Sequence, residues 1–175
     1  MELITLLSDD GTPTGSARKD TVHTALTPLH LGFSCYLLDS DGRLLLTRRA
    51  LEKTTWPGVW TNSFCGHPFP GEHPVRAAER RAHEELGVRI RSIRIVLPSY
   101  RYRAVDASGV VENEICPVSV ALLDGTPAPD PTEVLDWAWA QPGAVAQALQ
   151  TTGFVFSPWM REQLPLLLEL DGLRP

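Results

Sequence analysis

The chain has 175 residues, 43% of them hydrophobic, enough for one domain that buries about two-thirds of the surface its unfolded form exposes. Lys and Arg number 16 against 21 Asp and Glu, a formal charge of -5 with no basic block, which argues against a general nucleic-acid surface. No apolar run approaches the roughly 20 residues of a bilayer span, Met1-Glu2-Leu3-Ile4 lacks a signal-peptide pattern, and three cysteines are too few for a secreted disulfide framework. A single domain over residues 1–175, cytoplasmic and with reduced thiols, is the expectation.

In chain order, residues 3–7 read as a strand and Asp9-Asp10-Gly11-Thr12-Pro13 as the turn of a hairpin. Residues 30–38 and 43–47 are apolar, β-prone runs joined by Asp39-Ser40-Asp41-Gly42, whose Asp-Gly predicts a second antiparallel pair. Residues 54–71 hold Trp, Pro, Gly and polar side chains without periodicity, the pattern of an ordered functional loop. Residues 74–86 are helical, opened by Pro74 and closed by Gly87, with Val75, Ala78, Ala82 and Leu86 forming a core-facing stripe. Residues 91–97, 100–105, 111–123 and 135–140 read as strands, Ala107-Ser108-Gly109 joining two of them, and 143–150 and 159–170 as closing helices. The proline-rich 126–131 is a short connector, since each flank is too small to stand alone. Together these elements predict an α+β sandwich, with a mixed, mostly antiparallel sheet between helices.

Gly66, five residues, Glu72, seven residues, Arg80, then Arg81-Ala82-His83-Glu84-Glu85-Leu86-Gly87-Val88 resembles the Nudix box, a loop–helix–loop motif, at all but one fixed position. Glu84-Glu85 alone would read as a solvated helix face; the spacing of the whole set carries the resemblance. The departure is Arg81, where Nudix hydrolases present a Glu that helps hold the Mg²⁺ ions activating water. A guanidinium cannot bind a metal but matches phosphate oxygens as a bidentate fork, so hydrolysis is disfavoured and holding the anion favoured.

One Nudix branch with this departure is the type 1 isopentenyl diphosphate isomerases, which the chain resembles from about residue 3 to residue 159. The matched segments are His23-Thr24, Leu29-His30-Leu31, Thr47-Arg48-Arg49-Ala50, Trp56-Pro57-Gly58-Val59-Trp60-Thr61-Asn62-Ser63, Cys65-Gly66-His67-Pro68, Tyr100-Arg101-Tyr102, Glu112-Asn113-Glu114 and Ser157-Pro158-Trp159. The resemblance implies a Nudix-like α/β/α sandwich and makes His23, His30, His67, Glu112 and Glu114 metal ligands. Five mixed nitrogen and oxygen donors suit Mg²⁺ or Mn²⁺, with Zn²⁺ also possible. Glu112 and Glu114 stand two apart, so on a strand both carboxylates point to one face while Asn113 points away.

By the same resemblance Cys65 and Glu114 are the proton-transferring pair, with the Tyr102 hydroxyl near Glu114. Shifting an unactivated double bond requires protonating one carbon and deprotonating another, through a tertiary carbocation, and an indole face stabilises such a cation without attacking it; Trp159 is the candidate. Lys19, Arg49, Lys53 and Arg81 match the diphosphate-binding residues, with a second Mg²⁺ bridging the diphosphate to Glu85. The loop with Trp56 and Trp60, and residues 154–159, could close over the substrate. Cys35 and Cys116 read as small buried hydrophobes, Trp137 and Trp139 as packing, and Arg48 and Arg80 as structural neighbours. The implied substrate is isopentenyl diphosphate, with no nucleic acid or membrane partner and a monomer or weak homodimer. Two other readings, a Nudix diphosphate hydrolase and a non-catalytic diphosphate-binding module, are countered by Arg81 and by the pairing of Cys65 with Glu114.

Overall fold

A computed structural model describes residues 2–173. The N-terminal hairpin joins β1 (Leu3–Leu7) to β2 (Pro13–Arg18) and is followed by a one-turn helix, α1 (Lys19–Val22), which has no counterpart among the sequence-based expectations. The run 30–38, expected as one strand, is two: β3 (His30–Leu31) and β4 (Phe33–Leu38), with Gly32 between them. The run 111–123 likewise divides into β10 (Val111–Ile115) and β11 (Val118–Asp124) around Cys116-Pro117. These breaks are paired across the chains. β3 runs parallel to β10 and β4 parallel to β11, and between the two pairs Gly32 N–H donates to the Ile115 carbonyl (2.9 Å) and Ser34 N–H to the Pro117 carbonyl (3.1 Å).

Each break has a local cause. Pro117 has no N–H to offer a ladder. Gly32 lies where a Cβ would stand 2.3 Å from Glu114 Oε2, so only glycine lets the carboxylate rest against the backbone. The consequence is two sheets and not the single one expected. With β9 (Arg101–Val105), one has the order β2-β1-β3-β10-β9; with β5 (Leu44–Arg49), β8 (Arg89–Leu97) and β12 (Val134–Ala140), the other is β12-β5-β4-β11-β8. The mostly antiparallel, mixed pairing of an α+β fold is as expected.

The loop 54–71 also carries two short strands, β6 (Trp60–Thr61) and β7 (Phe64–Gly66). The β4–β5 hairpin pairs at Leu38 and Leu44, then splays, β6 adding to β5 and β7 to β4. That wedge places Cys65 opposite Ser34.

The larger sheet is covered on both faces, and its strands read accordingly as continuous apolar runs. Alternate residues of β4 enter opposite cores: Tyr36 and Leu38 pack towards α3 (Pro142–Thr152) and α4 (Pro158–Glu169), while Phe33, Cys35 and Leu37 pack towards α2 (Pro74–Leu86). No helix is long and apolar enough to cross a membrane among the described residues.

Helix α2 has Pro74 at its start, the His73 ring accepting from Val75 N–H, and Gly87 in the left-handed region as its C-cap. Its buried face differs from the expected stripe. Val75 is half-buried, Ala77 joins Ala78, Ala82 and Leu86 at 0% exposure, and the same face carries the buried charges Arg81 and Glu85. Small alanines bring the helix close to the sheet, and the two charges line its end nearest the site. Gly87 has φ +66°, and a Cβ there would meet the Ala128 carbonyl at 2.9 Å. Gly87→Ala is therefore expected to lower stability by about 1–2 kcal/mol or more in urea unfolding, an unchanged midpoint being the contrary outcome.

Candidate active site

Where the two parallel strand pairs cross from one sheet to the other, three imidazoles and two carboxylates converge. His30 on β3 is fully buried, and its Nδ1 lies 2.9 Å from the Pro28 carbonyl. Donation to that carbonyl orients the ring and turns Nε2 inward. There it lies 3.2 Å from His67 Nε2 and 3.4 Å from Glu114 Oε1, and His67 Nε2 is 3.0 Å from the same oxygen. His23, just after α1, places Nε2 3.3 Å from Glu112 Oε2. Glu112 and Glu114 share a face of β10, as their spacing predicted, while Asn113 turns away to donate to the Thr27 carbonyl.

The donor atoms of His23, His30, His67 and Glu112 lie within 4.8 Å of one another, close enough to hold a metal ion. Among the described residues, His23 Nε2, Glu112 Oε2 and His67 Nδ1 are buried without a hydrogen-bond partner. His23 Nε2 and Glu112 Oε2, 3.3 Å apart in this cluster beside two carboxylates only 6–7% exposed, are atoms a bound cation would satisfy. Burial opposes ionisation of Glu114, but hydrogen bonds from His30 and His67 outweigh it and hold the carboxylate far below its ordinary range. Burial likewise opposes a charge on His30, where Glu114 prevails and the pKa rises; at His67 burial prevails and it falls.

The cluster forms one wall of a cavity of about 320 Å³, within the range of small-molecule sites, that Cys65, Tyr102 and Trp159 also line. Burial pushes the Cys65 thiol up to about 11, against hydrogen bonds with Ser34 and Asn62, so it is protonated at neutral pH. Tyr102 faces Glu114 in the β9–β10 register; burial and the Glu114 charge push its phenol well up. Tyr102 and Glu114 line the same cavity. Trp159 at the start of α4 is 3% exposed, meets Trp56 edge-on at 5.4 Å, and has the Arg49 guanidinium 5.5 Å from its ring centre. A cation already over this ring shows its π face within reach of positive charge. Trp56 has φ +44°, a strained conformation for a bulky side chain.

Lys19, Arg49, Lys53 and Arg81 line the same cavity. Each is already engaged. Lys19 pairs with Glu2 at 2.8 Å, Arg49 donates to the Thr55 carbonyl, and Lys53 is bound by Glu133. Arg81 donates to Glu85 Oε1 through both Nε (2.8 Å) and Nη2 (2.6 Å), and also to Glu84 and Glu133 at 3.1 Å. Burial and the neighbouring Arg49, Arg81 and Lys19 charges lower Lys53 to about 8 despite Glu85. Glu85 does not line the cavity; Arg81 stands between. Arg80 bridges Glu72 and Glu84, and Arg48 donates to the Gly58 carbonyl.

Sequence reasoning missed Gly32, Thr55, Asn62 and Glu133. Thr55 donates to Glu112 Oε1 at 2.8 Å, and Glu133 joins Lys53 to Arg81. Asn62 and Thr55 fall in the aperiodic loop that was expected to hold the site; Glu133 has no local signal. Because Gly32 backs the Glu114 carboxylate, Gly32→Ala is expected to weaken Mn²⁺ binding about 10–100-fold in calorimetric titration of a folded protein, and unchanged affinity would discount the contact.

Comparison with known proteins agrees with this geometry. The NUDIX domain family matches residues 28–160. The isopentenyl-diphosphate Delta-isomerase of Paenarthrobacter aurescens is 58% identical over 98% of this chain and 94% of its own, and that of Agromyces mediolanus 56% over 98% and 83%. Among solved structures, a Deinococcus radiodurans protein superposes with TM-score 0.73 at 19% identity, covering 94% of this chain and 98% of its own. The MutT protein of Methanosarcina mazei gives 0.65 at 15% identity over 82% and 96%, likenesses that speak to the fold alone. With a Nudix profile over most of its length and such relatives over nearly all of it, the chain belongs to the Nudix family, among its isopentenyl-diphosphate Delta-isomerases.

Proposed function

We infer that this chain is an isomerase that interconverts isopentenyl diphosphate and dimethylallyl diphosphate in isoprenoid biosynthesis. The observation that carries the inference is one cavity with three kinds of wall: four cations for an anion, an aromatic face for a carbocation, and Cys65 and Glu114 for two proton transfers. Relatives of that name at 52–58% identity support it.

The chemistry is a proton relay without net redox change. A proton added to the terminal methylene carbon makes a methyl group and leaves a tertiary cation on the neighbouring carbon. Loss of a proton from the next carbon returns the electron pair as the new double bond. The reaction is reversible, so Cys65 and Glu114 exchange the roles of donor and acceptor with its direction. Trp159 faces the cation, and its indole offers electron density without a nucleophile. Trp56 and Trp60 belong to a loop that could close over the substrate, where excluding water would protect the cation from capture. Tyr102, opposite Glu114, is a donor within the same cavity.

His23, His30, His67, Glu112 and Glu114 would hold a divalent ion, Mg²⁺ or Mn²⁺ by their mixed donors, with Zn²⁺ also compatible. Such an ion would offset the charge of the buried carboxylates, with Glu114 among the residues holding it. Lys19, Arg49, Lys53 and Arg81 would bind the diphosphate, and Glu85 would reach a second Mg²⁺ carried by it only where the Arg81–Glu85 ion pair opens. Arg81 engages Glu84 and Glu85, which takes carboxylates away from the hydrolytic metal arrangement. We place the enzyme in the cytoplasm as a monomer or weak homodimer of one domain.

Incubation of metal-loaded protein with isopentenyl diphosphate should give dimethylallyl diphosphate. Phosphate release would instead mark a hydrolase, and no turnover a binding module. Cys65→Ala and Glu114→Gln should each lose at least roughly 10³-fold in kcat, since two acid–base steps of 10²–10⁴-fold depend on the pair. Folded, metal-loaded Cys65→Ala working within about tenfold of the parent would return Cys65 to a packing role.

Removal of the ion has a separate readout. At 100-fold excess over its dissociation constant a single-site ligand adds about 2.7 kcal/mol, so Mn²⁺ should raise the unfolding midpoint of stripped protein as it restores activity. Full activity in stripped protein would overturn the metal assignment.

A further inference from the structure

The acid thiol and the cation-facing indole hang from one side chain that neither the reaction nor the motif reading uses. Asn62, between β6 and β7, is 0% exposed. Its Nδ2 donates to the Cys35 carbonyl at 3.0 Å and to the Phe64 carbonyl at 2.8 Å. Two carbonyl acceptors leave the amide no freedom to flip, so Oδ1 must point the other way. There it accepts the Cys65 S–H at 3.2 Å and the Trp159 indole N–H at 2.9 Å, with the Thr61 hydroxyl at 2.8 Å.

We propose that Asn62 is a positioning residue for the isomerisation, its side-chain carbonyl fixing the Cys65 sulfur relative to the Trp159 ring. This rests on the proposed function. In that reaction the carbon that takes the proton and the carbon that becomes cationic are bonded neighbours. The thiol must therefore reach one while the indole faces the other, and their relative placement is set by whatever both are tied to. Among the described residues, Asn62 Oδ1 alone bonds both Cys65 and Trp159. Cys65 sits on β7 of the larger sheet and Trp159 at the start of α4, segments separated by more than ninety residues, and Thr61 bonds the indole but not the sulfur. The same hydroxyl lies 2.8 Å from Ser157 Oγ, whose side chain caps α4, so the helix that carries Trp159 is moored to the Asn62 segment twice. A carbonyl oxygen suits this role because it accepts hydrogen bonds without itself transferring a proton.

Two substitutions separate positioning from support. Asn62→Leu keeps the volume but removes the acceptor. Asn62→Asp keeps an oxygen facing Cys65 and Trp159 but sets its other oxygen against two backbone carbonyls, so it should be the less stable of the pair. If Asn62 positions, kcat falls on the order of 10²-fold in Asn62→Leu with KM within about threefold, while Asn62→Asp retains the higher kcat despite its lower unfolding midpoint. If Asn62 only supports the loop, kcat follows stability and Asn62→Asp is the poorer enzyme, which overturns the proposal.

A third measurement needs neither variant. The S–H stretch of Cys65, isolated in the infrared difference between wild type and Cys65→Ser, should lie at the lower frequency of a hydrogen-bonded thiol; a free-thiol frequency overturns the proposal even if both Asn62 variants fail to fold. Wild-type protein assayed alongside with isopentenyl diphosphate keeps the two readings apart. Absence of isomerisation there would remove the proposed function, whereas normal turnover with a free thiol would remove only the role of Asn62.

Discussion

The site depends on a pair of parallel strands that stay hydrogen-bonded while leaving one sheet for another. β3–β4 and β10–β11 each pass from the smaller sheet to the larger, and the crossing is held by Gly32 N–H to Ile115 and Ser34 N–H to Pro117. A continuous sheet would have no room there. Because both strands bend at the same level, their facing residues, His30 and Glu114, stay in register at the mouth of the gap. Parallel pairing needs long connections, and these supply β5, β6, β7 and α2, hence Cys65, His67 and Arg81.

Charge in the cavity is balanced locally, not by the chain as a whole. An acidic protein presents four cations to one small space, and each has an internal partner that makes its burial tolerable. The three imidazoles stand in the same relation to Glu112 and Glu114. Two clusters of opposite need thus share one cavity: one lacks positive charge at its centre, and the other has cations that can accept a further anion.

Helix α2, the hairpins and the strands were legible because each has its own local pattern: Pro74 and Gly87 bracket the helix, and Asp-Gly marks the β4–β5 turn. The breaks at Gly32 and Pro117 were not, since strands buried on both faces read as unbroken apolar runs. Residues that the family resemblance named surround one cavity, apart from His30, which reaches its cluster from behind, and Glu85, screened by Arg81. Side chains that act through partners distant in sequence left no trace. Glu133 and Lys53 are 80 positions apart, and Asn62 reaches Trp159 across 97, so no window of sequence contains either relation.

The carboxylate of Glu133 lies between Lys53 and Arg81, two of the four cations. A diphosphate bound by those groups, as proposed, would enter by exchange, taking over the contacts of an anion already in place. Binding is then weaker than four cations alone would give, by the strength of the contacts displaced. On departure the same carboxylate could reclaim its partners, so the cations would not be left bare while the product leaves. For a reaction whose substrate and product carry the same diphosphate, a resident competitor of this kind trades grip for turnover equally in both directions.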